Sequence, residues 1–176
     1  MKNRLLNRWF GQSSKPAAPS TVALRDGLTI LLVDDSRTQL YAFEKILNAE
    51  GVKTCKAENG KQGILMAKKM LPDLILMDIV MPEINGFQAT RYLSRQEDTG
   101  HIPIIIISGT DQGSDKAWGL KLGAKDYLQK PVEKGLLLSK ISRWTAEVGV
   151  EKPQPQVSRP AKGDSTRENS TWVEAG

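Results

Sequence analysis

An α/β fold built around a parallel sheet is what this sequence predicts, and three observations carry the prediction. Short apolar runs, namely LTILLV, VKTCKA, LILM, IIII and the brief DYL, alternate with segments whose apolar residues recur at helical spacing. Acidic residues stand directly after two of the runs, Asp34 and Asp35 after the first and Asp78 after LILM. Polar, proline-bearing stretches flank the alternating region on both sides. Strands buried on both faces read as near-continuous apolar runs, and intervening helices supply the crossovers that parallel pairing needs.

The elements follow in order from Leu28. LTILLV gives the first strand, and Ser36 stands where a helix N-cap belongs, its hydroxyl able to accept from a free backbone amide in the first turn. The helix from Ser36 to Ala49 puts Leu40, Phe43 and Leu47 on one face, and Gly51 suits the left-handed position after it. VKTCKA is the second strand. Cys55 within it is the single cysteine, so it forms no internal disulfide and reads as a small buried thiol in a reducing compartment. A helix from about Lys61 to Met70, the LILM strand, a helix near Phe87 to Ser94 and the IIII strand at 104–107 come next. A helix near Asp115 to Leu122 ends before Gly123, DYL forms the fifth strand, and a fifth helix carries Leu137, Ile141 and Trp144 as a stripe toward the sheet. Trp144 is expected to mark the domain's edge.

A chain of 176 residues is long enough for one domain with a real core. Three regions are expected: a basic start and flexible linker over 1–27, a folded domain over 28–144, and a disordered polar tail over 145–176 with Pro153, Pro155 and Pro160. Residues 1–27 set Lys2, Arg4, Arg8, Lys15 and Arg25 against Asp26, which leaves the middle only mildly basic and argues against nucleic acid as a partner. No apolar stretch approaches the roughly 20 residues that span a bilayer, and the start lacks a signal-peptide centre, so a cytoplasmic protein is expected. In MKNRLLNRWF, Leu5, Leu6, Trp9 and Phe10 share one helical face, which reads either as a docking segment for a partner or anionic membrane, or as a frayed extension.

Parallel strands deliver their carboxyl ends to one edge of the sheet, where ligands of open α/β sheets bind. Three carboxylates at that edge, Asp34, Asp35 and Asp78, repel one another and are expected to hold a hard divalent cation, Mg²⁺ above all. Lys130, before Pro131, brings an ammonium that can offset charge on a transferred phosphoryl group. Ordinary readings stand beside these. The aspartate pair can cap the following helix, Lys130 can be a surface lysine, Ser108 can satisfy local backbone, and Tyr127 can be plain core. His101 has no Cys or His cluster around it and is assigned no metal.

VDDS at 33–36, LMDIVMP at 76–82, ISGT at 107–110 and YLQKP at 127–131 together resemble a bacterial response-regulator receiver domain, over about Leu28 to Trp144. MDIVMPEINGFQATR and DQGSDKAWGLKLGAKDYLQKPV further resemble stand-alone regulators of type IV pilus twitching motility. The resemblance implies a flavodoxin-like, doubly wound sheet of five parallel strands in the order 2-1-3-4-5 with five flanking helices. It implies Asp78 as the phosphoacceptor. Asp35 and Asp78 would then bind Mg²⁺ directly, with Asp34 through water or a longer contact and the backbone carbonyl of Val80 completing the set. Lys130 would pair with the phosphoryl group across a cis Lys-Pro bond, and Ser108 and Tyr127 would form a coupled switch. That switch would act on a surface including Trp118 and Lys121.

The expected function is therefore that of a stand-alone regulator that accepts phosphate from a histidine kinase and signals by protein contact. It is not that of a conventional enzyme. A phosphatase using Asp78 as transient nucleophile would want a general acid two residues later, where Val80 stands. A non-phosphorylated scaffold of the same fold would be betrayed by a missing site residue, and none is missing.

Overall fold

The computed structural model describes residues 24–109 and 113–146. The amphipathic start with Leu5, Leu6, Trp9 and Phe10, Thr110 of the ISGT step, and the tail beyond Ala146 lie outside the described residues. Elements alternate as β1 (Thr29–Val33), α1 (Arg37–Asn48), β2 (Lys53–Ala57), α2 (Gly60–Met70), β3 (Leu74–Asp78), α3 (Gly86–Leu93), β4 (Ile104–Ser108), α4 (Gly113–Lys121), β5 (Asp126–Gln129) and α5 (Lys134–Ala146). All pairings are parallel, as the apolar runs predict, and the strand order is β2-β1-β3-β4-β5, as the resemblance to receiver domains implies.

Side-chain alternation along the strands sorts the core into two layers. Leu32, Leu76, Ile105 and Ile107 pack under Leu40, Phe43 and Leu47 of α1 and Leu137, Leu138 and Ile141 of α5. Leu31, Ile75, Met77 and Ile104 face the other way, against Ala67 of α2 and Ala89 and Leu93 of α3. Gly119 of α4 lies on Ile106, on that same second side, and a Cβ there would overlap the isoleucine.

The helix starts are fixed by side-chain caps. Ser36 accepts from Gln39 N–H as expected, Asn59 accepts from Gln62 N–H, and Asn85 with Gln88 forms a reciprocal capping box. Gly51 and Gly123 adopt left-handed φ of 76° and 111°. The end of α2 differs, because Leu71 takes the left-handed position at φ 44°, which no glycine announces. The α4 helix begins at Gly113 rather than Asp115, because an exposed first turn carries no apolar periodicity to read.

Residues 24–27 of the expected linker belong to the folded unit. Leu24 packs on the α1/α5 layer, and Arg25 pairs with the buried Asp73 at 2.9 Å, whose other oxygen accepts from Thr29 N–H at 2.8 Å. Cys55 is half-buried on the outer strand, and burial raises its thiol pKa. No helix among the described residues is long and apolar enough to cross a membrane.

Candidate functional site

The site forms where β1, β3 and β5 end. Asp34 directly follows β1 and prolongs its ladder, donating its N–H to the Ala57 carbonyl at 3.1 Å, while its Oδ1 accepts from Ser36 N–H at 2.8 Å. Asp78 is the last residue of β3, with the Val80 N–H turned back onto its carboxylate. Lys130 directly follows β5, where its N–H donates to the Ser108 carbonyl at 2.7 Å, and its bond to Pro131 is cis. Its Nζ bridges the two acids, 3.0 Å from Asp34 Oδ2 and 2.5 Å from Asp78 Oδ1. The two carboxylates are 6% and 7% exposed and the lysine side chain 19%. Gly86 packs closely against the end of β3, since any Cβ there would overlap the Asp78 carbonyl oxygen.

Leu32, Leu40, Phe43, Leu76 and Ile107 close the floor beneath Asp34 and Asp78, leaving a void of about 10 Å³. That dry floor explains the electrostatics. Burial raises the Asp78 pKa, and Asp34 adds to the rise, although Lys130 and the Val80 N–H oppose it. Burial alone would lower Lys130, yet its hydrogen bonds and attraction to Asp78 and Asp34 win and raise it. Both groups are therefore raised, Asp78 chiefly by its burial and Lys130 by the two carboxylates it bridges.

Asp35 stands apart: its side chain is exposed and makes no hydrogen bond or ion pair among the described residues. Among those residues no three His, Cys, Asp or Glu side chains converge as a ready ligand set. The donors nevertheless suit a hard cation. Asp34 and Asp78 offer only carboxylate oxygens at an acidic rim, Asp35 is adjacent and unengaged, and the ammonium of Lys130 already occupies the negative position between two of them. Ser108 is buried at the end of β4, one residue past the pairing of Asp78 with Ile107. Tyr127 is half-buried against Ile106 and Phe87, whereas Trp118 is 50% exposed with the Lys121 ammonium 5.6 Å from its ring. The Val80 side chain is 69% exposed. Beside Lys130 a groove of about 500 Å³ runs along α1, walled by Phe43, Ile46, Pro131 and Val132 with Gly109 at its rim.

The family model for the response regulator receiver domain matches residues 30–142. The chain belongs to the response regulator receiver family. Protein PilH of Pseudomonas aeruginosa is 50% identical over 113 residues, which is 64% of this chain and 93% of PilH. Response regulator PleD of Caulobacter vibrioides is 36% identical over 116 residues, 66% of this chain but 26% of that longer protein. Among solved structures, the receiver domain of a Pseudomonas aeruginosa sensor histidine kinase, described with a magnesium ion coordinated in its active-site cleft, superposes with TM-score 0.64. It is 32% identical, and the match covers 68% of this chain and 98% of that one. The receiver here is a two-component signalling protein of the same class.

Sequence reasoning missed two buried charges in this receiver, Asp73 with its Arg25 partner and Asp126. Asp126 opens β5 and is 9% exposed, with Lys140 Nζ at 2.6 Å and Trp144 Nε1 at 3.1 Å, both from α5, and the Tyr127 N–H at 2.8 Å. Burial pushes its carboxyl up, but these three donors outweigh burial and hold it below the usual range. The cluster ties α5 to the strand that carries Tyr127 and leads to Lys130.

Proposed function

We propose that this receiver takes a phosphoryl group from a phosphohistidine of a partner kinase onto Asp78, and passes the signal on through protein contacts in a chemotaxis-like pathway serving pilus motility. The observation that carries this reading is the meeting of Asp78, Asp34 and Lys130 at one desolvated rim. A carboxylate whose pKa is raised by burial is a better nucleophile than a solvated one, and the ammonium beside it is placed to follow the incoming charge.

In the step itself, an Asp78 oxygen forms a bond to phosphorus, the P–N bond to the imidazole breaks, and the released ring nitrogen takes up a proton. Lys130 transfers its hydrogen bond from the Asp78 carboxylate to a phosphoryl oxygen. Asp34, Asp35, Asp78 and the Val80 carbonyl are the groups that would hold Mg²⁺, which when bound supplies charge neutralisation for the phosphoryl oxygens. Ser108 would turn its hydroxyl toward the product, and Gly109 beside it leaves open space where a Cβ would meet nothing within 4 Å. Tyr127 would respond by packing inward, altering the face that bears Trp118 and Lys121. The groove along α1 beside Lys130 offers the kinase an apolar seat next to the acceptor. The exchange would take place in the cytoplasm, where the amphipathic start can hold the protein to a partner or membrane through Leu5, Leu6, Trp9 and Phe10.

A scaffold reading is disfavoured because the pairing of Lys130 with two acids is a costly arrangement for a purely structural module. The test is phosphotransfer from an autophosphorylated chemotaxis-type histidine kinase with Mg²⁺ present. Rapid loss of kinase label to the wild type and none to Asp78→Asn is expected; equal transfer to both would remove Asp78 from the role.

A further inference from the structure

We propose that the outer face formed by α2 and α3 is a docking surface for the anionic lipid headgroups of a membrane. Along α2 the exposed side chains are Lys61, Gln62, Leu65, Lys68, Lys69 and Met70, and the α3 side adds Arg91, Tyr92 and, just past the helix, Arg95. Neither helix contains an acidic residue. The acids nearest in sequence are Glu58, Glu83, Glu97 and Asp98 in the flanking loops, and Asp73, which is buried and paired with Arg25.

Two features set this face apart. The first is its unmatched charge. Among the described residues every ion pair is made by Arg25, Arg37, Lys56, Lys130, Lys134 or Lys140, so none of the α2 and α3 cations has a carboxylate partner. Lys68 instead lies over the Tyr92 ring at 5.2 Å and donates to its hydroxyl at 3.1 Å. The second is the apolar side chains between the cations: Leu65 is 61% exposed, Met70 44% and Tyr92 42%.

Cations interleaved with protruding aliphatic and aromatic groups match an anionic interface, where the charges meet headgroups and the apolar tips enter the acyl boundary. An acidic protein is the rival occupant. Protein hot spots sit in concave, well-packed pockets, whereas Leu65 and Met70 stand out singly from a convex helix. Docked in this way, the protein would lie with its second layer on the bilayer and its α1/α5 layer turned away. The strand ends bearing Asp78 would remain open at the side.

The test uses the full chain and two vesicle compositions, phosphatidylcholine alone and phosphatidylcholine with about 30 mol% phosphatidylglycerol. Cosedimentation with the anionic vesicles only is expected, weakening steeply as salt rises from about 0.05 M to about 0.5 M. The triple variant Lys61→Gln, Lys68→Gln, Lys69→Gln should bind about a hundredfold more weakly, at about fivefold per cation. Leu65→Ser should weaken it about fivefold. A charge-matched control on the other layer, Lys45→Gln, Lys134→Gln, Arg143→Gln, should bind within about threefold of wild type. Equal weakening by the two triple variants would reduce the effect to net charge and overturn the proposal. So would binding that disappears on deleting residues 1–12 and ignores the α2 substitutions. Binding to poly-glutamate but not to vesicles would give the face to an acidic protein and equally overturn it. Circular dichroism confirms that each variant is folded, and Asp78 labelling, unaffected by this face, keeps the outcome separate from the phosphotransfer reading.

Discussion

Replacing Lys130 with methionine tests the electrostatic design of the site most sharply. The change keeps the length of the side chain and its apolar stem but removes the cation shared by Asp34 and Asp78, which are 6% and 7% exposed. Breaking a buried pair by deleting one partner costs about 3–5 kcal/mol. Because the lysine still keeps 19% of its side chain in solvent, the lower end, about 3 kcal/mol, is expected at about pH 7 in metal-free buffer. Without that cation the Asp78 carboxyl, already raised by burial and by the Asp34 charge, is raised further in the folded state. A group raised in this way destabilises the fold while ionised, so the deficit relative to wild type should shrink as pH is lowered from about 7 to about 4.5. Magnesium should do the same at neutral pH, since it binds the native state and finds its carboxylate oxygens freed of the ammonium. Urea unfolding at about pH 7 and about pH 4.5, with and without Mg²⁺, measures all three effects. A deficit below about 1 kcal/mol, or one that ignores both pH and Mg²⁺, would refute the reasoning.

Three other outcomes follow from the structure. Gly86→Ala drives a methyl into the Asp78 carbonyl, so it should cost about 2–3 kcal/mol and slow Asp78 labelling, read by denaturation and by phosphodonor kinetics. Trp144→Phe removes a hydrogen bond to the Asp126 carboxylate and should cost about 1.5 kcal/mol at neutral pH. The Asp126 carboxyl is depressed from 3.8, so its contribution is present above that value and lost as pH falls through the lower folded one; a loss undiminished in acid would contradict this. Thr90→Val replaces a fully buried hydroxyl that has no hydrogen-bond partner among the described residues, so it should stabilise the domain by about 1 kcal/mol in urea titration.

Much of this was legible because of how parallel sheets are written. IIII and LILM announce strands covered on both sides, and a polar residue directly after such a run must surface at the carboxyl edge. That rule places Asp34, Asp78 and Lys130 on one edge, and the strand order implied by the resemblance brings them together there. The resemblance gave Asp35 the direct metal contact and Asp34 the longer one, whereas the structure buries Asp34 against Lys130 and leaves Asp35 exposed; in a sheet covered on both faces, alternation alone does not distinguish the two. Asp126 was hidden for a different reason, since its partners Lys140 and Trp144 lie 14 and 18 residues away and meet it only once α5 folds back. Leu71 shows the limit of reading helix ends from glycine, as its left-handed backbone is held by packing on the α2 layer.

The account's central claim is that Asp78 carries the phosphoryl group. Incubation with Mg²⁺ and a small-molecule phosphodonor, followed by borohydride reduction and peptide mass mapping, reads the modified side chain directly. Conversion of Asp78 alone to the reduced product is the predicted result. Modification at Asp34 or Asp35 with Asp78 intact, or none anywhere in a folded, Mg²⁺-loaded protein, would contradict it.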